Sequence, residues 1–222
     1  MNKRIRWVIA VPILALCLGL AFWKGGKYLR RAAYRPVSIH APADVILVNE
    51  ANPLPDDFSP GEIVNLYEQK RHFLLANSEI ELEKGTFEAA DRMFQAAEEE
   101  NLNDFILTSG YRTRERQAEL YGQSPEGVAQ QPGCSEHETG LAFDVTTRHD
   151  TGTLEETPQI QWLFEHCWDY GFILRYPKGK EDITGITYEC WHYRYVGEKL
   201  ARIIHEHGWT LEEYCMQQER QE

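Results

Sequence analysis

The run Leu141-Ala142-Phe143-Asp144-Val145 sets a carboxylate among apolar side chains, and this one feature restricts the fold more than any other. An unpartnered buried carboxylate is costly, so a fold that buries the run must bring Asp144 a hydrogen-bond donor, a cation or a metal ion. His137 stands seven positions earlier, and Gly140 between the two lets the chain turn. The rest of the sequence narrows the choice of partner.

Periodicity supplies the frame around that run. Phe87, Ala90, Met93, Phe94 and Ala97 recur at helical spacing between Thr86 and Asn101, with acids on the opposite side, which predicts a core helix. A second helix is expected to begin near Thr113, and a third to run from Gln159 to Tyr170 and stop at Gly171. GEKLARIIHEHG predicts a fourth, closed by Gly208. Strands are expected at FILTSG (105–110), LAFDV, FILRY and WHYRYV (191–196). DVILVNEANPLPDD, from Asp44, reads as a short strand followed by irregular chain at its prolines. Helices among short, tightly connected strands predict an α+β domain whose helices pack on a small, largely antiparallel sheet.

The first residues stand apart from this domain. Trp7 to Trp23 form an apolar run preceded by Lys3, Arg4 and Arg6, a membrane-insertion signal with a tryptophan at each end to suit the two interfaces. No small-x-small cleavage site closely follows, and Leu16 is bulky for a lipid-attachment box at Cys17. An uncleaved N-terminal membrane anchor over residues 1–23 is therefore expected ahead of a cleaved signal peptide. Residues 24–43 read as a juxtamembrane linker and 44–222 as the folded domain. Basic residues flank the apolar run on both sides, so charge alone does not decide its orientation.

Eight of the 23 Lys and Arg, and none of the 35 Asp and Glu, fall in residues 1–35. The remaining 15 cations face all 35 acids, a formal charge of −20 for residues 36–222. Such a field disfavours nucleic acid and anionic lipid, and no basic stripe argues otherwise. Cys134, Cys167, Cys190 and Cys215 contain no CxxC spacing, which argues against a four-cysteine zinc site. Two disulfides or buried free thiols both remain open.

Among the eight histidines, His192 is distinctive because Glu189 precedes it by three residues. Catalytic zinc takes three protein ligands from His and Asp or Glu and keeps a fourth position for water. His137, Asp144 and His192 meet that requirement if their strands are neighbours. Glu189 is then placed as the general base for attack of water on a carbonyl, passing the proton on to the leaving amine. Taken singly, each residue has a plainer explanation as surface or satisfied core; the combination carries the weight.

Ser135, His137, Gly140, Ala142 and Asp144, in the pattern S-x-H-x-x-G-x-A-x-D, together with E-x-W-H-x-R-Y-V-G at Glu189 to Gly197, resemble the zinc D,D-carboxypeptidases of the VanY type. SGYRTRERQAELY (109–121) is similar to the family's SGYR...Q segment, and LVNEANPLPDDF to its N-terminal opening. The resemblance covers roughly Asp44 to Gly208. It implies a small α+β fold holding one zinc ion, extracytoplasmic and acting on peptidoglycan stem peptides. It implies His137, Asp144 and His192 as metal ligands, Glu189 as catalytic acid and base, and Arg112, Gln117 and Ser135 as substrate-holding residues. Arg112 offers a planar fork of donors suited to a peptide carboxylate or to the developing oxyanion. Its plainer role is an ion pair with Glu115 or Glu119. Tyr111 and Trp191 are expected in the pocket wall.

The sequence departs from the family at Cys190, where the second motif has proline. Cys134 and Cys190 flank residues that must converge on one ion, so a Cys134–Cys190 bridge is one expectation, with Cys167–Cys215 as the second pair. The motifs do not separate a D,D-carboxypeptidase from an L,D-carboxypeptidase acting on tetrapeptide stems. A zinc- or wall-binding module without catalysis is the alternative of another class, and Glu189 argues against it. A cytosolic domain behind an N-out anchor is a further reading that the flanking charges leave open.

Overall fold

The computed structural model describes residues 39, 41–42, 44–124, 129–148 and 152–220. The expected anchor lies outside the described residues, as does most of the linker. No helix among the described residues is long and apolar enough to cross a membrane. Ile39 is already buried in the domain, beside Leu47, Ile173 and Ile204.

Among the described residues, seven strands form two sheets. In the smaller one, β1 (Ile63–Asn65) pairs antiparallel with β3 (Glu81–Glu83). The larger sheet has the order β2 (Leu74–Leu75), β4 (Phe105–Ser109), β5 (Ala142–Thr147), β7 (Glu189–Tyr195), β6 (Phe172–Tyr176). Only the β2–β4 pair in it is parallel. The protein is thus the expected α+β domain on a largely antiparallel sheet.

Six α-helices are described. In α1 (Lys84–Glu99) the Glu83 side chain accepts from Thr86 N at 2.8 Å, filling one orphan donor of the first turn. Phe87, Ala90, Met93, Phe94 and Ala97 all face inward, as their spacing predicts. Phe94 packs on Phe105 and Phe143, with ring centroids 4.9 and 5.9 Å away, which locks α1 onto one face of the larger sheet. Each such buried aromatic or aliphatic side chain contributes about 1.5–3 kcal/mol. Thr113 caps α2 (Arg114–Gln123). Thr157 caps α3 (Pro158–His166), which tightens into a 3-10 turn, Cys167–Tyr170, before Gly171 ends it in the left-handed conformation.

α4 (Glu181–Thr184), α5 (Glu198–His207) and α6 (Leu211–Glu219) complete the domain. α6 was not expected, although Thr210 and Glu213 carry the capping-box signature that begins it. A second apolar cluster, Ile173, Ala201, Ile204, Leu211 and Cys215, joins α5 and α6 to the sheet face opposite α1.

DVILVN does not form a strand. Its bonds are local or come from a side chain: Val45 N donates to Pro42 O, Asn49 and Asn52 exchange an isolated pair of backbone bonds, and Arg194 Nη2 donates to Ile46 O at 2.6 Å. Neither disulfide forms: the four cysteines are buried free thiols, and the members of each expected pair lie apart. Cys190 and Cys167 lie in the main core, Cys215 in the second cluster, and Cys134 in the loop near Arg114 and Glu138.

Candidate metal centre and active site

Three elements converge at one end of the sheet. Asp144 of β5 is the register partner of His192 on β7 and of Ser109 on β4. His137 comes from the 3-10 turn Glu136–Thr139, which ends at Gly140 with φ +73°. A side chain at 140 would meet Ile63 Cδ1 at 2.8 Å and Glu83 N at 3.1 Å, so both the turn and the packing demand glycine.

The turn is tied down on every side. Glu83 N donates to Gly140 O, Arg112 N to His137 O, and Gly133 N to the Glu138 carboxylate at 2.7 Å. Arg114 joins Glu138 to the carbonyls of Leu54 and Pro55. Arg116, not Arg112, pairs with Glu119.

Ligand atoms of His137, Asp144 and His192 all lie within 4.8 Å of one another. Asp144 Oδ2 is 3.4 Å from His137 Nε2, and Oδ1 is 2.9 Å from His192 Nδ1. Ligands bound to a tetrahedral zinc at its usual bond lengths stand roughly 3.3 Å apart, so this spacing fits the ion. The second ring nitrogens are occupied too. His137 Nδ1 meets Gly110 O at 2.7 Å, and His192 Nε2 faces Glu136 Oε2 at 3.4 Å, the outer contacts that fix ligating imidazoles.

Electrostatics agree with a cation site. Burial by itself would raise the Asp144 carboxyl, yet the two histidines hold it well below the usual carboxylate range. Burial depresses the His137 imidazole. It would depress His192 as well, but hydrogen bonds to Asp144 and Glu136 outweigh it and raise that ring to about 9.

These residues form the floor of a cleft of about 410 Å³. Arg112, Gln117, Ser135, Glu189 and Trp191 line it, so the structure brings the expected ligand, acid-base and substrate-holding residues to one place, whereas Tyr111, expected in the wall, is not among the residues that line it. The placement of Glu189 has a local cause. In a regular strand, residues three apart point to opposite faces. Here Leu174 pairs with Tyr193 whereas Tyr176 pairs with Glu189, so β7 carries extra residues between those points. This bulge turns Glu189, Trp191 and His192 into the same cleft.

Arg112 Nε is buried without a hydrogen-bond partner. Burial lowers its guanidinium, and the carboxylates of Asp144, Glu138 and Glu189 partly offset that. Gln117 donates Nε2 to Gln130 O at 2.7 Å and leaves Oε1 buried and unpartnered. Tyr176 and Glu136 also line the cleft. Sequence reasoning missed both: Tyr176 read as an ordinary strand residue, and Glu136 fills the unspecified position of S-x-H.

Residues 79–198 match the family model of VanY, D-alanyl-D-alanine carboxypeptidase. A D-alanyl-D-alanine carboxypeptidase of Enterococcus faecium is 36% identical over 174 residues, covering 77% of this chain and 57% of that protein. The LD-carboxypeptidase LdcB superposes with a TM-score of 0.67 at 35% identity, covering 76% of this chain and 83% of that one. The D,D-pentapeptidase VanY of a VanB-type vancomycin-resistance cassette, solved with Zn(II), gives 0.60 at 33% identity, covering 76% and 97%. The fold, the three convergent ligands and the match over residues 79–198 place this chain in the VanY family of D-alanyl-D-alanine carboxypeptidases, which are zinc metallopeptidases.

Proposed function

We propose that this chain removes the terminal D-alanine from peptidoglycan stem peptides, with His137, Asp144 and His192 holding zinc and Glu189 moving the proton. The observation that carries the reading is the convergence of those three ligands on the floor of a cleft walled by Glu189 and Arg112. Zinc held there supplies Lewis acidity, which polarises a carbonyl and brings the pKa of water toward about 7. The Glu189 carboxylate takes the proton from water as its oxygen adds to the carbonyl carbon of the last peptide bond. It then gives that proton to the departing nitrogen as the C–N bond breaks.

Arg112 serves the anionic parts of the substrate. Its unpartnered Nε and half-buried position suit either the terminal carboxylate or the charge that develops on the carbonyl oxygen. Gln117 Oε1 is an acceptor for a substrate N–H, held by the Nε2 bond to Gln130, and Ser135 lines the same wall. The domain acts outside the cytoplasm, tethered by residues 1–23, a reading supported by the apolar run and by a substrate that is a wall component.

An assay on stem peptides is the direct test. The zinc-loaded protein should release D-alanine mainly from pentapeptide stems. The likeness to LdcB favours a second reading, L,D-cleavage, for which release would come mainly from tetrapeptides. No release from either would overturn catalysis and favour a wall-binding role.

A further inference from the structure

Glu136 is fully buried behind the metal ligands. Its Oε1 accepts from Arg175 Nε at 2.7 Å and from Arg194 Nη1 at 2.6 Å, leaving Oε2 to face His192 Nε2 at 3.4 Å. Arg175 is clamped in turn. Its Nη1 and Nη2 donate to Glu212 at 2.8 and 2.6 Å, and Asn49 Nδ2 adds a bond of 3.3 Å to the same carboxylate. Arg175, Arg194 and Glu212 are as buried as Glu136. Two glutamates and two guanidiniums therefore cancel in formal charge beneath the site.

We infer that Glu136 is a positioning residue for the metal ligand His192, and that Glu212 on α6 holds Glu136 in register through Arg175. A carboxylate behind a ligating imidazole fixes its orientation and strengthens it as a donor. Burying four charges merely to stabilise the fold gains little, since apolar residues of the same volume do as well or better. The contact with His192 gives the cluster a use. Glu212 and Asn49 both lie outside residues 79–198, so the two flanks of the chain support the metal centre from beyond the family-matched segment.

The inference rests on His192 being a zinc ligand, and the experiment separates the two. Zinc affinity is measured by chelator competition on the full chain, along with the visible spectrum of the Co(II)-substituted protein and the unfolding temperature of the metal-free protein. An unmutated chain that binds no zinc overturns the ligand assignment itself. Given binding, Glu136→Gln should weaken zinc about tenfold to a hundredfold and shift the Co(II) bands. Glu212→Gln, which never touches substrate or metal, should weaken zinc in the same direction by a smaller factor and lower kcat with KM unchanged. A purely structural cluster would lower the unfolding temperature and leave zinc affinity and the Co(II) spectrum as they were. That outcome in the variants that fold overturns the inference.

Should neither variant fold, the unmutated Co(II) protein decides. The His192 Nε2 proton should then give a paramagnetically shifted resonance that persists in water, and its loss by rapid exchange would overturn the contact with Glu136.

Discussion

Asp144 and His192 are register partners on adjacent antiparallel strands, and their side chains meet at 2.9 Å between Oδ1 and Nδ1. The sheet ladder itself thus sets the spacing of two metal ligands, and the 3-10 turn delivers the third. Substituting His137, Asp144 or His192 by alanine should each lower zinc content sharply, because two remaining ligands leave an incomplete site. Metal analysis after dialysis checks this, and full occupancy in all three variants would refute the ligand set.

Glu189→Gln should retain the metal and lose about a hundredfold to ten-thousandfold in kcat, since the amide keeps the shape of the side chain and cannot accept the proton. Steady-state kinetics alongside zinc content tests it. Near-normal turnover would transfer the base to another residue.

Arg112→Ala should lower kcat/KM with zinc retained. A raised KM alone identifies binding of the terminal carboxylate, and an equal fall in kcat and kcat/KM identifies stabilisation of the oxyanion. If neither constant moves, the guanidinium has no part in the reaction.

Gly110→Ala should destabilise the domain by about 3 kcal/mol or more. The added Cβ would stand 2.1 Å from Glu81 O, a backbone atom already fixed by its bond from Tyr111 N. Gly110 O also holds His137 Nδ1, so zinc affinity should fall with stability. Thermal unfolding and chelator competition on one preparation measure both, and a variant as stable as the parent would contradict the contact.

The thiols should make the fold sensitive to alkali. Burial pushes Cys167 from 9.0 up to about 12 and Cys215 up to about 11. A proton held more tightly in the native state than in the unfolded one means stability is intact below pH 9. It then declines as pH rises from 9 toward these native values. Cys167 alone should cost about 1.4 kcal/mol per pH unit in that window. Denaturant titrations between pH 8 and 11 test the slope. Alkylation after unfolding without reductant should label all four of these cysteines, and protection of any pair would restore the disulfide.

Much of the domain was legible in local pattern. The α1 stripe, the Thr113 cap and the glycines that end the 3-10 turn at Tyr170 and helix α5 act within a few residues, so spacing alone revealed them. His137, Asp144 and His192 were recognisable as a metal set by residue type and motif. What spacing could not show is where a regular period breaks. The bulge in β7 that turns Glu189 and His192 into one cleft depends on how β6 pairs with it. The cysteines read as pairable by their flanking segments, yet Cys190 and Cys167 enter the main core, Cys215 the second cluster and Cys134 neither, so each expected pair is split.

Nothing local marks Glu136, Arg175 or Glu212 for burial, because isolated charges belong in water. Their burial becomes tolerable only when partners 37 and 39 positions away arrive in the same place. Residue type and motif are enough to show which side chains have the chemistry to hold zinc and move a proton. Which charges lie beneath them is set by the folded chain, since it depends on contacts between distant segments that no local pattern encodes.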